Sequence, residues 1–468
     1  MHRTIFIRLL QLFCCAALIA MTTSAAPPAR TRVDLIMGGD YVVTMDPSQP
    51  VIEHGAVAIA DGAIVAVGPA TQIMATYRAR RVLPGQGQVL MPGLINGHTH
   101  LAMALFRGLA DDLTLSDWLQ NHIFPAEAEF VNPEFVRLGV QLACWEMIRG
   151  GTTTFVDMYF YPDVEASVID QCGLRGVIAP SAIDFPSPGF TGWDDSFASA
   201  VNFAERWKGK NPRIIPALGV HAPYTVSPEN LQQARAAALR LGVPISIHVA
   251  ETQSEVDDVL ARYGNRPVNH LNSLDVFDAQ TIAAHMVYPD AAEIALLAER
   301  GVGVIHNPSS NLKLASGVSP VPQMLAAGVK VGLGTDGAAS NNDLDMWEEM
   351  TLAALLHKGV LKDPTTMPAE TVLNMATLGG AAAIGLDGQI GALTIGRRAD
   401  LIQVRLDAAH MTPTYNIISN LVYAANADDV DTVVVEGRVL MRKGRVLTLD
   451  IDQIRAQVAE LAAQINDE

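Results

Sequence analysis

The chain has 468 residues and a formal net charge of −17, with 49% hydrophobic and 17% charged residues. That is too apolar for a disordered chain and long enough for one large domain plus a smaller one. The acid excess argues against nucleic-acid binding, which needs clustered Lys and Arg, and four cysteines without a Cys-x-x-Cys pair argue against a disulfide framework or a cysteine-built zinc site.

Residues 1–26 read as a secretory signal peptide. Arg3 and Arg8 supply positive charge, Leu9–Met21 is nearly all apolar, and the small run Thr22–Ala26 ends in Ser24-Ala25-Ala26. The apolar run is short for a span of about 20 residues. Phe13 before Cys14 fits a lipoprotein signal poorly. A secreted or periplasmic location is expected. The mature chain keeps Cys144 and Cys172, read as two buried thiols.

Residues 32–88 carry short β-rich runs, Val33–Met45 and Gly55–Gly68, with Asp61-Gly62 as a hairpin signal. Over 89–385 the character changes. Apolar runs at 89–97, 152–159, 176–183, 214–221, 245–251, 281–288, 302–308 and 330–337 alternate with helical stretches such as Pro228–Leu241 and Ala291–Arg300. Ser227 or Pro228 fits a helix start and Gly242 a stop. Eight parallel strands with intervening helices predict an α/β chain folded as a (β/α)8 TIM-type barrel. Residues 386–450 return to a β pattern, with Lys443-Gly444 as a turn, and 451–468 form a C-terminal helix. The two β ends are expected to join as one small β-sandwich domain.

In such barrels chemistry collects at the C-terminal ends of the strands. Those ends carry His98 and His100, then His221, His248 and Glu251, His285, His306, and Asp336. On an extended segment residues i and i+2 face one side, so His98 and His100 can both aim into the mouth. With His248 and Asp336 they form a three-histidine, one-aspartate set from strands 1, 5 and 8, which could surround one cation. That set suits Zn2+, and Fe2+ or Mn2+ also fit. His306 alone reads as a hydrogen-bonded core residue.

Pro92–His100 resembles the first-strand signature of the amidohydrolase superfamily. Arg107–Asp112, Trp118-Leu119, Phe124–Glu127, His221–Thr225, His248–Thr252, His306–Leu314 and Gly334–Asn342 are similar to the 5-methylthioadenosine/S-adenosylhomocysteine deaminase family, over about residues 33–450. The resemblance implies a barrel with a two-ended β-sandwich, metal ligands His98, His100, His248 and Asp336, catalytic Glu251 and His285, and nucleoside contacts from Glu127 and His221. It also implies one metal per subunit and a homo-oligomer.

The chemistry follows from residue type. Asp336, touching both cation and water, can accept the water proton. Glu251, three residues past His248, can protonate the ring nitrogen beside the attacked carbon. His285 can hydrogen-bond the developing negative oxygen. Both Glu251 and Asp336 would thus touch substrate. An adenosine-type substrate would give the inosine analogue and ammonia.

No candidate strand end carries the Lys that bridges two metals in many relatives, which favours a single-metal site. Residues 183–190 depart from the family: no Arg occurs there or before Arg206, so recognition of an amino-acid tail is in question. The competing expectations are a deaminase or chlorohydrolase of another N-heterocycle (guanine, a pterin, a triazine), or a barrel that binds ligand without turnover.

Overall fold

The structure is a computed structural model describing residues 30–466. The expected signal peptide lies outside the described residues. Among the described residues no helix is long and apolar enough to cross a membrane.

Five strands open the chain: β1 (Thr31–Val43), β2 (Val51–Ala60), β3 (Ala63–Pro69), β4 (Tyr77–Leu83) and β5 (Gln88–Pro92). The parallel set follows as β6 (Leu94–Thr99), β7 (Thr152–Asp157), β8 (Arg175–Ile178), β9 (Ser181–Ala182), β10 (Ile214–Pro216), β11 (Leu218–Val220), β12 (Ile245–Val249), β13 (Thr281–His285), β14 (Gly303–His306) and β15 (Lys330–Leu333). Four more close the chain: β16 (Leu401–Arg405), β17 (Val430–Val435), β18 (Arg438–Arg442) and β19 (Arg445–Val446). A last helix, Ile451–Asn466, follows.

Both ends of the chain build one nine-stranded sheet, ordered β19-β18-β17-β16-β5-β1-β2-β3, with β4 beside β1. The join is the antiparallel β5–β16 ladder, Leu401 opposite Pro92 through Arg405 opposite Gln88. The two β ends thus join in one sheet, as expected, and its strands form one continuous hydrogen-bonded path. Both faces are covered. Leu35, Met37, Val57 and Ile59 belong to one buried cluster, while the alternating Ile36, Ala56 and Ala58 join another with Ile73 of the helix Ala70–Thr76. The Asp61-Gly62 turn forms as read, with both residues at positive φ (50° and 74°), the backbone of a two-residue hairpin.

The parallel strands run in chain order as two ladders, β6-β7-β8-β10 and β9-β11-β12-β13-β14-β15. Bends at Ala179-Pro180 and at Ala217 pass the chain from one ladder to the other. The last strand reaches the first: Asp336 N donates to His98 O (3.0 Å), and Thr335 N donates to Asn96 Oδ1 (3.0 Å). Gly334 permits this approach, because a Cβ there would lie 2.6 Å from Asn307 Oδ1 and 2.8 Å from His98 N. Ile95, Val156, Val177, Ile282 and Ile305, each from a different parallel strand, meet in one buried cluster closed by Ala381 and Ala383.

Two sequence expectations need correction. The first apolar run, 89–97, is two strands: β5 belongs to the nine-stranded sheet and β6 to the parallel set. They part at Gly93, whose N–H donates to Asp400 O (3.1 Å). The remaining strands also stop before the ends expected for them. Glu251 and Asp336 therefore sit in the loops beyond, and His285 is the last residue of β13. The helix Pro228–Leu241 forms as read, with Ser227 as its N-cap, proline in its first turn and Gly242 at φ 60° as its C-cap. Cys144 and Cys172 are buried free thiols with Sγ atoms 2.9 Å apart, between the helices Pro133–Gly150 and Pro162–Cys172.

Candidate active site

Strand ends place the histidines at one mouth. His98 and His100 lie at the end of β6 and just beyond it, and His248 lies one residue before the end of β12. Ligand atoms of His98, His100 and His248 lie within 4.8 Å of one another, as do those of His98, His285 and Asp336. Asp336 Oδ1 is 3.4 Å from His98 Nε2 and 3.2 Å from His100 Nε2.

The surroundings aim these atoms. His100 Nδ1 faces Met158 O and His248 Nδ1 faces His221 O, both at 2.6 Å. A carbonyl only accepts, so each Nδ1 carries the hydrogen and each Nε2 presents a lone pair. Those two Nε2 atoms stand 3.3 Å apart. Ser310 Oγ (2.7 Å) and Ser340 Oγ (2.8 Å) both donate to Asp336 Oδ2. Asp336 Oδ1 and His98 Nε2 are buried without a hydrogen-bond partner. Three imidazoles whose ligand atoms lie within 4.8 Å of one another, with Asp336 Oδ1 within 3.4 Å of two of them and two of these atoms orphaned, fit a divalent cation.

The histidines and Asp336 act strongly on one another. Burial pulls the His100 imidazole down, yet the Asp336 carboxylate overcomes this and raises it to about 9. Burial lowers His98 to about 4. Asp336 stays well below the usual carboxylate range: burial opposes this, but the neighbouring His100 and His98 imidazoles outweigh it.

Ala250, His285, Met286 and Asp336 all have positive φ (52°, 73°, 47° and 64°). Such conformations cost on the order of 1–3 kcal/mol each and gather where side chains must be aimed. Around the first of these, Glu255 clamps the loop after β12. Its Oε1 accepts from Ala250 N (2.8 Å) and its Oε2 from Glu251 N (2.7 Å).

Glu251 and His285 face each other, with Oε2 to Nε2 at 3.7 Å, both buried. Burial pushes the Glu251 carboxyl up from its ordinary value, against the pull of His285. His285 Nδ1 lies 2.9 Å from Asn311 Oδ1 and 3.3 Å from Asn307 Nδ2. Glu127 and His221 line the same cavity of about 420 Å³ as His100, His248, Glu251, His285 and Asp336. Burial raises Glu127 to about 7, against Tyr159 and His100, and lowers His221 to about 3. His221 Nδ1 pairs with Thr225 Oγ1 at 2.9 Å.

All the site residues read from the sequence except His98 line this cavity, and His98 Nε2 lies 3.4 Å from Asp336 Oδ1. His306 is fully buried near His357 and outside the lining, but neither ring nitrogen has a hydrogen-bond partner, which corrects its reading as a hydrogen-bonded core residue. Trp118 is both buried and cavity-lining. Sequence reasoning missed Tyr159, Asn311 and Glu255. Of these only Glu255 left a signal, as the fourth residue of Thr252-x-x-Glu255, a helix-start pattern.

Residues 89–440 match the amidohydrolase family. A 5-methylthioadenosine/S-adenosylhomocysteine deaminase of Syntrophobacter fumaroxidans is 49% identical, covering 93% of this chain and 99% of that protein. A 5'-deoxyadenosine deaminase of Methanosarcina mazei is 43% identical, covering 92% and 99%. A crystal structure of an adenosine deaminase from Xanthomonas campestris with bound zinc superposes with a TM-score of 0.92 at 41% identity, covering 94% of this chain and 100% of that one. The chain belongs to the amidohydrolase family and is similar, over nine-tenths of its length, to that family's 5-methylthioadenosine/S-adenosylhomocysteine deaminases.

Proposed function

We propose that this protein is a zinc-dependent hydrolytic deaminase of adenosine-type nucleosides, releasing ammonia and the inosine analogue. The parallel strands are read as a closed (β/α)8 barrel, and the protein as an exported homo-oligomer. The observation that carries the activity is the clustering of His98, His100, His248 and Asp336 beside the Glu251–His285 pair, at a cavity that all of them except His98 line.

His98, His100 and His248 through Nε2, with Asp336 through Oδ1, would hold the cation. A bound divalent cation lowers the pKa of water from 15.7 to about 7, which makes a nucleophile available at neutral pH. Asp336, its other oxygen fixed by two serines, takes the proton of the attacking water. Glu251, whose carboxyl burial pushes up, gives its proton to the ring nitrogen beside the attacked carbon, so that carbon becomes electrophilic. His285 hydrogen-bonds the incoming oxygen and is held by Asn311. As the carbon–nitrogen bond breaks, the proton taken up by Asp336 passes to the amino group, which leaves as ammonia, and the remaining hydroxyl proton returns to Glu251 as the carbonyl forms. Glu127 and His221 contact the nucleoside away from the reacting carbon.

The test is metal analysis of the purified protein with ammonia release measured on adenosine, 5'-methylthioadenosine, guanine, a pterin and a triazine. One zinc per chain and turnover of the adenosines are expected. Turnover confined to the other heterocycles would overturn the substrate class. Binding without ammonia release would overturn the enzyme, and iron or manganese in place of zinc would overturn the metal.

A further inference from the structure

Residues 183–190 are the segment where the sequence lacks arginine, and the structure shows what that segment does. Ile183, Phe185, Pro186, Ser187, Pro188 and Gly189 line the catalytic cavity. The loop is rigid by construction. Ser187 and Phe190 exchange backbone hydrogen bonds (3.2 and 2.9 Å), and two prolines restrict it further. Asp184, its one charged residue, is turned elsewhere. It accepts from Ser227 N and from Asn230 Nδ2, both at 2.8 Å. Facing this loop, Phe124 packs edge-on against Phe185 with ring centroids 5.7 Å apart. Leu115 and Leu119 extend the same apolar wall.

Among the described residues lining the cavity there is no Lys or Arg, and the carboxyl side chains are Glu127, Glu251 and Asp336. Lys313, in the helix just after β14, is bound to Asp111 at 2.6 Å. Arg262, whose Nη1 approaches Tyr224 O, pairs with Asp258 at 2.8 Å. The metal-binding end fixes where the purine carbon must sit. Wherever the sugar and its 5' substituent lie within this cavity, no Lys or Arg among its described lining residues faces them.

We infer that the cavity selects adenosines whose 5' substituent is short, uncharged and apolar (a methylthio group or hydrogen) and discriminates against a tail ending in an amino-acid carboxylate. This rests on the deaminase reading above and names its substrate class. A carboxylate brought against Phe124, Phe185 and Pro188 loses its water and meets no cation, while Glu127 repels it. A methylthio group loses nothing and gains apolar contact.

The experiment compares kcat/KM for 5'-methylthioadenosine, 5'-deoxyadenosine, S-adenosylhomocysteine and an uncharged 5'-alkylthio analogue as long as the homocysteine tail. The first two and the long uncharged analogue should be used with similar efficiency. S-adenosylhomocysteine should fall by about a hundredfold or more. Phe185→Arg should narrow the ratio between S-adenosylhomocysteine and 5'-methylthioadenosine by about tenfold, because it places a cation in the wall. Equal use of all four substrates would overturn the inference and leave the deaminase reading intact. An equal loss with the long uncharged analogue would overturn it too, making length the determinant. No turnover of any adenosine would instead overturn the reading on which it rests.

Discussion

Glu251 Oε2 lies 3.7 Å from His285 Nε2, and the two residues come from neighbouring strand ends, just past β12 and at the end of β13. Their separation leaves each group facing the cavity while each remains within electrostatic reach of the other. Glu251→Gln keeps the shape and removes the transferable proton. It should lower kcat by roughly 10²–10⁴-fold with metal content unchanged. Parallel ammonia and metal assays on the same preparation check this; loss of metal along with activity would make Glu251 a structural support rather than a proton donor.

Metal removal should cost stability as well as activity. The apo cluster leaves His98 Nε2 and Asp336 Oδ1 buried and unpartnered, and a cation that binds only the folded form stabilises it by mass action. At a free concentration 1,000 times its Kd the gain is about 4 kcal/mol. Chelated protein should therefore melt several degrees lower, and added zinc should restore both melting temperature and turnover. Scanning calorimetry before and after chelation reads this directly. An unchanged Tm would mean that the four residues do not hold the ion together.

The buried Glu127 makes a pH prediction whose sign is fixed. Its carboxyl is raised from 4.5 to about 7, so between those values the folded protein binds more protons than the unfolded chain. The stability present below pH 4.5 is then lost as pH rises toward 7, by about 3 kcal/mol for this group. Glu127→Gln stays neutral throughout and should melt less steeply with rising pH over that window. The slope will not vanish, since burial also raises Glu255 and Glu349 to about 8. If Glu127 also touches the nucleoside, KM rises in the variant more than kcat falls.

The parallel strand order and the ligand set were legible because both depend on local pattern. His-x-His on an extended segment has only one geometry, and each strand end carries its own polar residue. What could not be read depends on contacts made across the chain. Asn311 reaches His285 from 26 residues away, and Ser310 and Ser340 fix Asp336 from two short helices, Pro308–Lys313 and Ala338–Asn341. Tyr159 is unremarkable in sequence, and only the packing of the β7 loop brings it beside Glu127 and His100. The hairpin at Glu436-Gly437, with φ 48° and 72°, also passed unread, because glutamate is a weak turn signal where Asp61 is a strong one. The split at Gly93 was hidden inside one apolar run, since a buried interior strand of the nine-stranded sheet and a buried parallel strand have the same composition.

That split has its own consequence for stability. Where the chain passes from β5 to β6, Gly93 N donates to Asp400 O, and the Asp400 side chain accepts from Arg175 through Nε (2.8 Å) and Nη2 (3.2 Å). Arg175 is 1% exposed and Asp400 4% exposed, so the pair is a dry link between β8 of the parallel set and the nine-stranded sheet. Glu436 N also donates to Asp400, and Arg175 Nη1 donates to Pro212 O. Asp400→Asn leaves Arg175 with only the more distant Glu436 carboxylate, Nη2 to Oε1 at 3.5 Å, so the change should cost about 1–3 kcal/mol in urea unfolding. Replacing both residues with apolar side chains of similar volume should cost less than that single change, because no charge is then stranded. Neither residue lines the catalytic cavity, so kcat/KM per folded molecule should hold in both variants; a fall in activity without a fall in stability would show that the two sheets position the site through this link.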